Sequence, residues 1–116
     1  MKKEQKICKN NDFKNLYRNG LKLRSQGFVV YCRKSKTHHR MGIVISKKFG
    51  NAVVRNKFKR RVRAWFTSYD FDAQNPYDIL VIATHTDVTH LTFNSLTTKL
   101  NEVLGKFLKL NASYEF

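Results

Sequence analysis

Acidic residues are the scarcest charged type in this chain, and their scarcity is local. Residues 1–69 contain only Glu4 and Asp12 against 20 Lys and Arg, whereas residues 70–116 carry six acids and three basic residues. The formal net charge is +15, made of +18 in the first part and −3 in the second. Cysteine occurs only twice, at Cys8 and Cys32, in no metal-ligand spacing, so the two read as reduced thiols. The single proline, Pro76, falls in "DFDAQNP", where acids and a breaker interrupt the pattern. No apolar run approaches the roughly 18 residues of a membrane span. The opening "MKKEQKICKNNDF" is charged but has no apolar stretch of a secretion signal, so a cytoplasmic location is expected. His38 and His39 sit in a basic loop, His85 and His90 have no carboxylate or cysteine partner at an obvious ligand spacing, and no base, nucleophile and orienting group come together for self-contained catalysis.

What is present is a folding chain with a polyanion's complement. At 41% hydrophobic, its 116 residues suffice for one domain, 1–116, with its own core. Charge this lopsided points to a polyanionic partner that relieves the self-repulsion, with a merely solvated surface as the bland alternative.

The pattern along the chain predicts the order α-β-β-β-α-β-α, a two-layer α+β sandwich. "NNDFKNLYRNG" reads as a short helix with Asn or Asp as cap and Gly20 as stop. "LKLR" (21–24) reads as a short strand. "FVVYCR" (28–33) reads as a strand with Phe28, Val30 and Cys32 on one face and Val29, Tyr31 and Arg33 on the other. Residues 41–47 and 77–84 read as further strands, the latter so apolar that it belongs in the centre. A last helix starts near Thr92 and carries Leu96, Leu100, Val103, Leu104 and Phe107 at helical spacing.

The segment 50–66, "GNAVVRNKFKRRVRAWF", holds six Arg or Lys yet keeps an apolar stripe. At about 100° per residue, Val54, Phe58, Val62, Trp65 and Tyr69 share one arc. Asn56, Lys59, Arg60 and Arg63 form a polar stripe, with Lys57 and Arg61 on the far flank and Arg55 and Phe66 at the near edge. No acid lies between Asp12 and Asp70, so i,i+4 ion pairs cannot neutralise the helix. Arg outnumbers Lys four to two here, and its planar fork suits phosphate.

The run "KFGNAVVRNKFKRRVR" (48–63) resembles the signature of the bacterial ribonuclease P protein subunit, whose arginine-rich helix carries an "RNR"-type motif. Lys48, Gly50, Ala52, Val53, Arg55, Asn56, Lys59, Arg60 and Arg63 meet the pattern. Lys57 departs from it, keeping the charge of the expected Arg without its fork. "NNDF", "FVVY" and the element order extend the likeness over nearly the whole chain.

The resemblance implies a subunit that binds a large catalytic RNA and assists endonucleolytic removal of the 5′ leader from precursor tRNA. The RNA would carry the chemistry with Mg²⁺ held mainly by RNA and substrate. Lys47, Lys48, Arg55, Asn56, Lys59, Arg60 and Arg63 would face RNA, and Phe13, Tyr17 and Tyr31 would line a cleft for the single-stranded leader. The resemblance also implies a left-handed βαβ crossover, against the right-handed rule for such units. Neither a membrane nor an obligate protein partner is expected. Two readings stay open on residues alone: Phe13 and Tyr17 are also what a short helix buries, and a structural RNA-binding protein such as a ribosomal one shares the charge and the aromatics.

Overall fold

The computed structural model describes residues 5–7, 9–72 and 74–113, with side chains through residue 110. The elements run α1 (Asn10–Asn19), β1 (Leu21–Ser25), β2 (Phe28–Lys34), β3 (Arg40–Val44), α2 (Ala52–Ser68), β4 (Tyr77–Ala83) and α3 (Phe93–Ser113). Short 3-10 turns at Lys47–Phe49 and Thr86–His90 precede α2 and α3. This is the expected α+β architecture.

The four strands lie in the order β1-β2-β4-β3, with β1–β2 and β2–β4 antiparallel and β3–β4 parallel. The near-continuous apolar run Tyr77–Ala83 is central because it is buried on both faces. Phe28, Val30 and Cys32 of β2 and Ile79 and Val81 of β4 point to one face, where α2 and α3 close the main core with Phe58, Val62, Trp65, Leu100 and Phe107. The opposite face receives α1 alone, through Leu16 packed with Ile7 and Leu80. The indole N–H of Trp65 donates to Asn101 Oδ1 at 2.7 Å, which ties α2 to α3 and satisfies a donor the core would otherwise strand.

Several element ends differ from the sequence reading by a residue or more, and three of them have an identifiable setting. The third strand stops at Val44, short of residue 47, because the chain turns at Ser46, whose hydroxyl accepts from the Lys48 N–H of the 3-10 turn. The fourth strand stops at Ala83, and the Thr84 N–H leaves the ladder for the Gly27 carbonyl. The N-cap of α1 is Lys9, with no side-chain cap, rather than an Asn or Asp. Asp12 instead sits in the first turn, where a carboxylate favours the helix dipole, and turns its oxygens to two arginines of the sheet.

Candidate nucleic-acid interface

Helix α2 begins where a glycine and an asparagine together make a sharp entry. Gly50 has φ +149°, a conformation that favours glycine, and a Cβ there would approach Val54 Cγ1 to 3.0 Å. Asn51 then caps the helix, its Oδ1 accepting from the Val54 N–H at 3.0 Å. Phe58, Val62, Trp65 and Phe66 are buried, so the apolar arc is the docked side, and Phe66 belongs to it. The register this imposes turns Asn56, Lys57, Arg60 and Arg63 to the surface and leaves Lys59 half-buried at the flank.

The proposed RNA-facing residues therefore fall into two groups. Lys47, Lys48, Asn56, Arg60 and Arg63 are exposed. Arg55 is half-buried, and its Nε donates to the Gly50 carbonyl at 3.2 Å, so part of its fork braces the turn before the helix. Arg61, on the other flank, is a structural tie: its guanidinium donates to the Leu91 carbonyl ahead of α3. Among the described residues no carboxylate pairs with any basic side chain of α2. The cationic face is thus left uncompensated among the described residues.

On the other side of the sheet, the three aromatic candidates meet. Tyr31 of β2 and Tyr17 of α1 touch edge to face with ring centroids 5.1 Å apart, and Lys22 Nζ lies 5.8 Å from the Tyr31 ring. Leu16, at 0% exposure, anchors α1, while Tyr17 is 47% exposed and Phe13 and Tyr31 are half-buried. Core packing thus accounts for Leu16 and leaves the two tyrosine rings partly open to a ligand.

Register shows what the spacing could not. Three cross-strand rows share this face: Arg33–Asp78–Arg40, Tyr31–Leu80–Gly42 and Val29–Ile82–Val44. The last row lies beside the tyrosines and is only partly covered, Val44 being exposed. It extends the apolar platform, and the sequence reading passed over it because strand alternation alone does not say which strands become neighbours. The charged row was also missed. Arg40 donates from Nε to Asp78 Oδ1 and from Nη2 to Asp78 Oδ2, both at 2.8 Å. Arg33 Nε reaches Asp78 Oδ2 at 3.1 Å. The hydrogen bonds Arg40 donates to Asp78 push its guanidinium above its already high ordinary pKa and outweigh the desolvation of the site.

The histidines hold loops. His39 Nδ1 accepts from the Tyr77 N–H at 3.1 Å, and Nε2 lies 2.9 Å from the Asp72 carbonyl, a pairing satisfied by the Nε2–H tautomer. Asp72 shapes the turn before β4: the Gln74 N–H and the Asn75 amide hold its carboxyl below the usual range. No group of three His, Cys, Asp or Glu side chains among the described residues could cage a metal ion.

A cationic helix with no acid partner among the described residues, backing a sheet that shows aromatic rings on its other face, is an α+β arrangement of the kind suited to RNA. Comparison with known proteins agrees. The family model described as Ribonuclease P matches residues 1–108. The ribonuclease P protein component of Listeria monocytogenes serotype 4a (strain HCC23) is 38% identical over 114 residues, 94% of each chain. That of Staphylococcus carnosus (strain TM300) is 44% identical over 87 residues, covering 73% of this chain and 75% of its own. Among solved structures, a Staphylococcus aureus RNase P protein mutant with defective mRNA degradation activity superposes with a TM-score of 0.80 at 38% identity, covering 92% of this chain and 90% of its own. The RNase P protein from Thermotoga maritima gives 0.73 at 30% identity, covering 87% and 96%. The chain belongs to the ribonuclease P protein family.

Proposed function

We propose that this chain is the protein subunit of a ribonuclease P holoenzyme, an endoribonuclease that matures the 5′ end of tRNA. The face of α2 built from Asn56, Arg60 and Arg63, with Lys47, Lys48, Lys59 and the free part of Arg55, docks on the catalytic RNA. The aromatic face between α1 and the sheet receives the single-stranded 5′ leader, with Tyr17, Tyr31 and Phe13 stacking on bases without regard to their identity. Hydrolysis is the task of the RNA, and Mg²⁺ supplies the charge stabilisation of phosphoryl chemistry there. The contribution of this chain is to bind and orient RNA.

The observation that carries this reading is the missing counter-charge on α2: Arg60 and Arg63 stand exposed and Arg55 and Lys59 half-buried, none with a carboxylate partner among the described residues. Phosphate neutralisation is the physical use of such a face. The test is reconstitution: the chain is added to a bacterial ribonuclease P RNA at low Mg²⁺ and precursor tRNA cleavage is measured. Stimulation of cleavage is expected; its absence defeats the assignment.

A further inference from the structure

At the free edge of β3, Lys6 joins Lys59 and Arg63 around a single hollow. The segment ahead of α1 runs alongside this edge: Lys6 bridges Met41 in parallel, and the Ile7 N–H donates to the Met41 carbonyl at 3.0 Å. Ile7 then turns beneath α1 and is buried with Leu16 and Leu80. The hollow, about 160 Å³, is floored by Ile7, Met41, Gly42 and Ile43 and rimmed by the two lysines and the arginine. None of the three cationic groups has a hydrogen-bond or ion-pair partner among the described residues. Three like charges around an apolar floor repel one another, and a bound anion reverses that cost.

The hollow also adjoins the aromatic face. Gly42, part of its floor, carries no side chain because the other side of β3 is occupied: a Cβ there would lie 3.1 Å from Leu80 Cδ1, 3.3 Å from Phe13 Cε1 and 3.4 Å from Ile7 Cβ. The β3 edge therefore borders both the hollow, which Lys59 and Arg63 of α2 line, and the packing of Phe13 of α1, and Lys6 stands on it. Two ammonium groups and a guanidinium around an apolar floor concentrate positive charge, which favours an anionic phosphate over a neutral base edge.

We propose that this hollow holds a backbone phosphate of the substrate strand as it passes round the β3 edge, from the α2 face to the aromatic face, and that Lys6 joins the two surfaces. The inference rests on the ribonuclease P reading above. It adds a phosphate-binding residue on the segment before α1, where the charge is one of many and nothing in the local sequence marks Lys6 out.

The test uses the assembled holoenzyme and measures affinity for precursor tRNA with a leader and for mature tRNA between about 50 and 200 mM monovalent salt. With Lys6→Gln, the slope of log affinity against log salt falls by about 0.7 for the leader-bearing substrate, the change for one single-strand phosphate no longer neutralised. Mature tRNA and assembly with the catalytic RNA are unchanged, and Lys6→Arg restores the slope. Lys6 meets β3 through its backbone, so these variants keep the edge pairing. An unchanged slope, or an equal fall for mature tRNA or for assembly, overturns the proposal. Arg60→Ala is run alongside: if it leaves assembly intact while Lys6→Gln still lowers the leader slope, the docking role of α2 fails and the phosphate site stands.

Discussion

Arg40 grips Asp78 with a fork of two 2.8 Å hydrogen bonds, and Asp78 is 1% exposed. The same guanidinium reaches Asp12 Oδ2 at 3.2 Å, so one side chain links β3, β4 and α1. Removing the buried partner leaves two guanidinium groups to share Asp12 alone. Asp78→Ala should cost about 3–5 kcal/mol, the penalty for breaking a buried ion pair on one side. A urea unfolding midpoint within error of the parent would mean the network contributes no net stability.

The α2 face is tested by its salt dependence. Arg60→Ala or Arg63→Ala should weaken binding to the catalytic RNA and flatten the slope of log affinity against log salt by about 0.7–0.9 for each phosphate left without its cation. If both variants titrate like the parent, those side chains point at water in the complex.

Tyr31 is tested by discrimination between substrates. Its ring packs edge-on against Tyr17 and is half-buried, so Tyr31→Ala removes one stacking platform. Affinity for leader-bearing precursor should fall by about 1–3 kcal/mol while mature tRNA is bound as before. Equal losses for both would assign the ring to the core.

Cys32 lies fully inside β2, and burial pushes its thiol from 9.0 up to about 12. Below pH 9 the thiol is neutral in both the folded and unfolded chain, and its burial contributes in full. Between pH 9 and 12 the unfolded chain ionises first, so stability falls with rising pH by about 1.4 kcal/mol per unit. In a Cys8→Ser background, stability should therefore drop more steeply above pH 9 than in the matching Cys32→Ala variant, and iodoacetamide should label Cys32 only on unfolding. Rapid labelling of the native protein would contradict the burial.

Gly20 ends α1 under a steric limit. A Cβ at this position would come within 2.6 Å of the Leu16 carbonyl oxygen and 3.2 Å of that of Cys32, both backbone atoms. Gly20→Ala should cost about 1–3 kcal/mol as the helix end shifts, and thermal melting is the measurement. A melting temperature equal to the parent's would show that the turn yields freely.

The sequence alone determined the element order, the central place of 77–83 and the two sides of α2. Each follows from local periodicity: an apolar run must be buried on both faces, and a helix with one apolar arc must dock by it. The basic motif was legible for the same reason, since its offsets lie within one helix. Only the tertiary structure decided that Asp12 and Asp78 neutralise Arg33 and Arg40 and leave the α2 arginines without acid partners among the described residues. The register placed Val29, Ile82 and Val44 beside the tyrosines, and the path of the first residues brought Lys6 to Lys59 and Arg63. Those pairings join residues dozens of positions apart, and cross-strand register, which no local pattern encodes, is what brings them within reach.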